Sequence, residues 1–372
     1  MIYINNNHIN LLTRNVPCPE RLNIELTTGC NLKCVMCRGR NNYVKENKLD
    51  KFLKVEDFIR IINGTDLNRL KVINFAGSAE PLLNPYILPI LTLCRENGII
   101  VEFITNGMLL TSQISKQILG CSSEIHISFG GSTKQTFESI RQGASFELVY
   151  ENIQTLKELK KSSNNQYPHI WLNPVLMKRN IHEIPEIIEL AKELGCQGVA
   201  CSHLTVNSPE LIEESLFFHK EECNISLQNT EILANRYNIS LIRPEYFSLE
   251  SNCKEKTSEN VEAWKKCRFL WNHAILGLEG IEPCSSNSEI DFDGDVIKNK
   301  FMDIWNNHWY AEKRYRLLTG NPPDYCKICK DPSARDANNI GSYFREEILP
   351  EASAYAQALP SMSLAKELEL SC

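Results

Sequence analysis

Cys30-Asn-Leu-Lys-Cys34-Val-Met-Cys37 follows a short strand-like run, Leu22-Asn-Ile-Glu-Leu26. Three residues separate the first two cysteines and two separate the last two. Three thiolates on one short loop can ligate three irons of a cubane iron–sulfur cluster and leave the fourth iron open to a substrate or cofactor. Zinc is the competing occupant. A structural zinc closes four ligands in a tetrahedron, and the sequence near Cys37 offers no obvious fourth.

Outward from this loop, strand and helix patterns alternate from about residue 20 to 240. Val55, Phe58, Ile59 and Ile62 keep helical spacing, and residues 72–75 read as a strand. Residues 86–96 read as a helix stopped near Asn97-Gly98. Strands are expected over 99–105, 124–128, 170–176 and 199–202. Helices are expected over 112–119, from Phe146 through Leu156, from Ile184 through Leu194, and over 221–237. Such alternation implies a parallel sheet with helical crossovers. Six units are too few for a closed eight-stranded barrel, so the expected fold is α/β, a partial (β/α)6 parallel barrel. Cys30, Gly77, Asn106, Ser128 and His203 all fall after strand ends, the rim that carries active sites in barrel folds.

Near residue 250 the composition changes. Residues 251–262 are charged and read as a linker or exposed helix, and 291–295 carry a turn signal. Residues 301–318 are aromatic-rich and read as one helix ended by Gly320. The expected division is an N-terminal extension over 1–19, the barrel over 20–245, a small cysteine-rich unit over 246–335 and a tail over 336–372. The third unit is too short for a large core, which makes a metal staple plausible.

The 372 residues suit one large or two ordinary domains, with globular hydrophobic and charged fractions of 42% and 23%. A net charge of −6 gives no general attraction to phosphate backbones, against nucleic acid as a partner. The Asn-rich first residues carry no apolar signal-peptide region, and no apolar run is long enough to span a membrane. Fifteen cysteines are too sparse for a disulfide scaffold in this length. They point to reducing cytoplasm, where clustered cysteines usually serve metal or redox chemistry.

With Met36 before Cys37, the first motif is the CxxxCxΦC signature, and the chain to about residue 330 resembles the radical S-adenosylmethionine (radical SAM) enzymes. The run from Phe75 to Pro85 resembles the family's glycine-rich "GGEP" segment, with Ser78 and Ala79 where glycines are usual. Thr105-Asn106-Gly107 is similar to the segment after strand three. Ile127-Ser128-Phe129-Gly130 and the stretch to Arg141 are similar to "SxDG…R", with Gly130 in place of the common Asp. Cys267, Cys284 and the Cys326-Lys-Ile-Cys329 pair resemble a twitch domain, the shortened SPASM extension that holds one auxiliary cluster. Zinc competes there, since four thiolates are what it prefers.

The resemblance implies two [4Fe-4S] clusters, S-adenosylmethionine as cofactor and a flavodoxin- or ferredoxin-type electron donor. The first cluster, on Cys30, Cys34 and Cys37, would pass an electron that cleaves the cofactor to a 5′-deoxyadenosyl radical. Gly77, Ser78, Ala79 and Glu80 would meet the methionine amino group, and Asn106 lies in the neighbouring segment. Arg141 would pair with the methionine carboxylate, Ser128 and Asn173 with the ribose, and the Met36 backbone with adenine. Asn173 read alone could simply cap its strand, and Arg141 could form a surface ion pair.

Substrate and outcome are less constrained. Relatives acting on sugars and aminocyclitols suggest a small polar substrate, oxidised or epimerised. Only 29 residues precede Cys30, too few for the leader-recognition domain of many peptide-modifying relatives. A peptide modifier is the second reading, and a non-catalytic iron–sulfur electron-transfer or scaffold protein the third. Epimerisation needs a hydrogen donor, for which Cys201 and Cys253 are candidates, and His203 could take a proton in an oxidation. Lone cysteines and histidines are more often structural.

Overall fold

The computed structural model describes residues 14–37, 51–77, 79–249, 267, 269–278, 280–282, 284 and 298–327. Its centre is a nine-stranded sheet. The first five strands are β1 (Arg21–Ile24), β2 (Val72–Phe75), β3 (Ile100–Thr105), β4 (Ser122–Ser128) and β5 (His169–Asn173). β7 (Gly198–Ala200) and β9 (Ser240–Ile242) continue it in parallel. At the other edge β10 (His273–Gly277) pairs in parallel with β1, and β11 (Gly280–Glu282) turns back antiparallel. β6 (Val175–Leu176) and β8 (Ser202–His203) form a separate two-stranded pair.

The α/β fold with a mostly parallel sheet agrees with the sequence reading, with three differences. The run expected over 170–176 is divided at Pro174, which has no N–H for a ladder. The strand expected over 199–202 likewise divides into β7 and β8. β9 and β10, which were not expected, extend the sheet at opposite edges. Strands of three to five residues carry too little alternation to stand out.

The helices are α1 (Val55–Asn63), α2 (Ile87–Glu96), α3 (Ser112–Ile118), α4 (Lys134–Ile140), α5 (Phe146–Ser162), α6 (Ile184–Glu193) and α7 (Lys220–Tyr237). Beyond them lie α8 (Phe269–Asn272), α9 (Phe301–Trp305), α10 (His308–Leu318) and α11 (Asp324–Lys327). The helix expected over 301–318 is thus two, because Asn307 caps α10 by accepting from the Tyr310 N–H.

Period-two alternation gives the sheet two unlike faces. Leu22, Ile24, Ile73, Phe75, Val101, Phe103, Ile125, Ile127, Ile170, Leu172 and Val199 are buried on the helix side, where Phe58 of α1 meets Phe75 at 6.2 Å between ring centroids. Each such side chain contributes about 1.5–3 kcal/mol when fully buried. Arg21, Asn23, Asn74, Glu102, Glu124, His126, Ser128, Trp171 and Asn173 occupy the opposite, polar face and are only partly buried.

Candidate active site

The cysteine loop is docked, not free. The Lys33 N–H donates to the Gln142 carbonyl at 2.8 Å and the Val35 N–H to the Ile140 carbonyl at 2.9 Å. These bonds hold the loop against the end of α4, where Arg141 lies buried. A guanidinium N–H of Arg141 donates to the Cys34 sulfur at 3.7 Å. Behind Met36, the buried Asn207 donates to the Met36 carbonyl at 3.1 Å.

Cys30 is exposed as a residue, but desolvation by its surroundings pushes its thiol up to about 11, and the charges of Glu80, Cys34 and Cys37 each push the same way, against the Leu32 N–H. Burial also raises Cys34, opposed by Arg141 and helped by Cys37. Three cysteine sulfurs on one loop with a guanidinium beside the most buried one form a donor set that suits an iron–sulfur group, whose irons would take up the thiolate charge. Among the described residues no three His, Cys, Asp or Glu side chains are grouped as ligands of one metal ion. Thiolates of a cubane bind separate irons and stand farther apart than ligands of one ion.

Glu80 is buried, and its carboxylate is engaged inside the protein. It accepts from the Leu82 N–H at 3.1 Å, the Thr105 hydroxyl at 2.6 Å and the Asn106 N–H at 2.7 Å. Burial raises its pKa against these donors. The Glu80 N–H donates to the Gly29 carbonyl, beside Cys30. Glu80 therefore ties the segment after β2 to the end of β3 and to the cysteine loop. Asn106 joins the same network, its amide donating to Asn31 Oδ1 at 2.8 Å. A Cβ at Gly77 would stand 2.9 Å from a carboxylate oxygen of Glu25, a contact that a shift of that flexible side chain relieves. Ser78 lies outside the described residues; Ala79 is partly buried.

Ser128 and Asn173 stand side by side in register at the ends of β4 and β5, on the polar face. Gly130, where the family's Asp is missing, offers its carbonyl to the Asn180 amide at 2.8 Å. The loop that follows is held by Glu183, which accepts from the N–H groups and hydroxyls of Ser132 and Thr133 and from the Thr136 hydroxyl.

The proposed acid–base and thiol residues are not brought to the polar face together. Cys201 is buried and neighbours Cys223 of α7, and burial pushes its thiol up to about 12. It shares the side of Val199, one residue out of phase with Ala200, so alternation turns it into the helix layer. His203 is buried against Phe247 at 4.9 Å between ring centroids. Cys253 and Cys329 lie outside the described residues. Cys267, Cys284 and Cys326 are each partly buried, and Cys267 and Cys326 pack against the core.

Asn31, Asn180, Glu183 and Asn207 were not singled out in the sequence. Polar residues between strand and helix signals look like ordinary loop residues there, and only the fold shows that they anchor the rim.

Residues 24–191 match the family described as the Radical SAM superfamily. That stretch of the chain is a radical SAM domain. A "Tungsten-containing aldehyde ferredoxin oxidoreductase cofactor-modifying protein" of Pyrococcus furiosus is 25% identical, over 85% of this chain and 88% of its own length. The "PqqA peptide cyclase" of Bradyrhizobium diazoefficiens is 22% identical, over 84% and 79%. The fold is shared with Streptococcus suis SuiB bound to its precursor peptide SuiA, with a TM-score of 0.64 and 16% identity over 91% of this chain and 77% of the other. Among the described residues of this chain, no helix is long and apolar enough to cross a membrane.

Proposed function

We propose that this chain is a radical SAM enzyme that modifies a peptide. Cys30, Cys34 and Cys37 would hold a [4Fe-4S] cluster and the neighbouring rim S-adenosylmethionine. When bound, this pair supplies one-electron chemistry that removes hydrogen from unactivated C–H bonds. The observation that carries the radical reading is the docking of the cysteine loop on residues 140–142, with the Arg141 guanidinium against Cys34.

The protein's own residues bind and orient. Arg141 would offer its remaining N–H groups to the methionine carboxylate; its Nε is buried with no hydrogen-bond partner among the described residues. The backbone over 77–80, held in place by the Glu80 carboxylate, would meet the amino group. Asn106 would keep that segment against Asn31. Ser128 and Asn173 would take the ribose hydroxyls, and the Met36 backbone, held by Asn207, would face adenine. Cys267, Cys284, Cys326 and Cys329 would hold the auxiliary [4Fe-4S] cluster, with zinc as the competing occupant. A flavodoxin- or ferredoxin-type protein would deliver the electron.

The peptide reading displaces the small-substrate expectation. The likeness to the PqqA peptide cyclase extends over 84% of the chain, beyond the barrel. The polar face also suits a peptide, since it offers both charges and amides, including Arg21, Glu102, Glu124, Asn23 and Asn74. The name of the Pyrococcus relative keeps cofactor modification as the second reading.

The test is reconstituted enzyme with S-adenosylmethionine, dithionite and either synthetic peptides encoded beside its gene or a panel of sugars and aminocyclitols. The proposal expects a peptide to raise 5′-deoxyadenosine formation and to change in mass. Stimulation by the small-molecule panel alone would overturn it.

A further inference from the structure

Strand β4 places Glu124, His126 and Ser128 in a column on the polar face, and β5 places Trp171 and Asn173 beside the upper two. The His126 imidazole bridges the column. Its Nδ1 is 3.2 Å from Oδ1 of Asn173 and its Nε2 is 3.3 Å from a carboxylate oxygen of Glu124. The ring lies nearly parallel to the Trp171 indole, 5.9 Å between centroids and 9° between planes.

The indole has its own support. A Cβ at Gly198 would stand 2.4 Å from the Trp171 ring, so the glycine is what lets the indole lie over β7. A histidine held at both nitrogens and along one face has little rotamer freedom left. Other charged groups near it are Glu102, in register with Glu124 and paired with Arg21, and His169, also in register with Glu124.

We propose that His126 is a positioning residue that fixes the orientation of the Asn173 amide. Both partners are acceptors, so the two contacts together need a hydrogen on each ring nitrogen: Nδ1–H donates to Oδ1, which is turned down the column, and Nε2–H faces Glu124. Nδ2 is then turned away from His126, toward the level of Ser128 at the strand end. The pair presents a donor and a hydroxyl side by side, which suits two vicinal hydroxyl groups. Glu124 fixes the far end of the ring and Trp171 its plane. This inference rests on the assignment of Asn173 to the cofactor ribose.

Calorimetric titration of reconstituted enzyme with S-adenosylmethionine tests it without turnover. His126→Phe keeps the stack on Trp171 and loses both polar contacts. It should weaken binding about tenfold, the loss of one hydrogen bond. His126→Asn places an amide donor where Nδ1 was and should restore binding to within about twofold of wild type. If the Phe variant does not fold, His126→Leu carries the same expectation. Wild-type affinity in the Phe or Leu variant, or equal weakening by Asn and Phe, would overturn the proposal. Asn173→Ala separates the two layers. Unchanged binding there removes the ribose assignment and this role with it. Weakened binding there with unchanged binding in His126→Phe removes the role alone.

Discussion

A guanidinium nitrogen of Arg141 stands 3.7 Å from the sulfur of Cys34, across 107 residues of sequence. The contact joins the cysteine loop to the end of α4 and sets a fixed positive charge beside the most buried of the three thiols. Removing it takes away a charge-assisted contact of about 1.5–3 kcal/mol. Arg141→Ala should therefore shift the reduction potential of the reconstituted cluster to more negative values and weaken S-adenosylmethionine binding. Redox titration followed by electron paramagnetic resonance reads the first and calorimetry the second. Arg141→Lys should recover part of the potential and little of the binding, because an ammonium lacks the planar fork.

Glu80 should matter for the rim's integrity. Glu80→Ala strands the buried N–H groups of Leu82 and Asn106 and the Thr105 hydroxyl, at a cost of about 3 kcal/mol. A lower urea midpoint with an unchanged slope would show it.

Gly198 gives the polar face its flat floor. Gly198→Ala drives a methyl group into the Trp171 ring and the Ser240 carbonyl, both within 2.5 Å of the added atom. Overpacking of this kind costs about 1–3 kcal/mol. The indole should shift, which a change in tryptophan fluorescence would report against the wild type.

Acid should loosen the loop that follows Gly130. At Glu183 burial pushes the carboxyl up, but the donors on Thr136, Thr133 and Ser132 outweigh it and hold the pKa below the usual value. A lowered folded-state pKa adds stability above the unfolded-state value, about pH 4, and loses it as pH falls through the folded-state value. Glu183→Gln should be less stable than wild type at neutral pH and show a shallower loss of stability on acidification. Thermal midpoints over the acid range check both parts.

The parallel α/β sheet and the reactive loop were legible because they depend on local signals. The six strands expected from alternation all correspond to strands in the sheet or its flanking pair. What escaped was long-range. β10 joins β1 across about 250 residues, and a five-residue strand carries no sign of its partner. Cys201 looked available at a strand end, yet alternation turns it toward Cys223 in the helix layer. His126 lies on the strand expected over 124–128, but its role depends on Asn173 and Trp171 from the next strand. Asn207 and Glu183 act on loops far from them in sequence.

The auxiliary site is tested by composition. Two [4Fe-4S] clusters require about eight irons per chain. Replacing Cys267, Cys284, Cys326 and Cys329 by alanine should leave about four, while bound zinc at that site in the wild-type protein would contradict the assignment.

The central claim is that the loop from Cys30 to Cys37 makes this chain an enzyme that cleaves S-adenosylmethionine. The direct measurement is 5′-deoxyadenosine formed under dithionite by reconstituted wild type and by the Cys30→Ala/Cys34→Ala/Cys37→Ala variant. The account predicts product from the wild type and none from the variant, which should still hold about four irons at the second site. Equal product from both, or none from fully iron-loaded wild type, would contradict it.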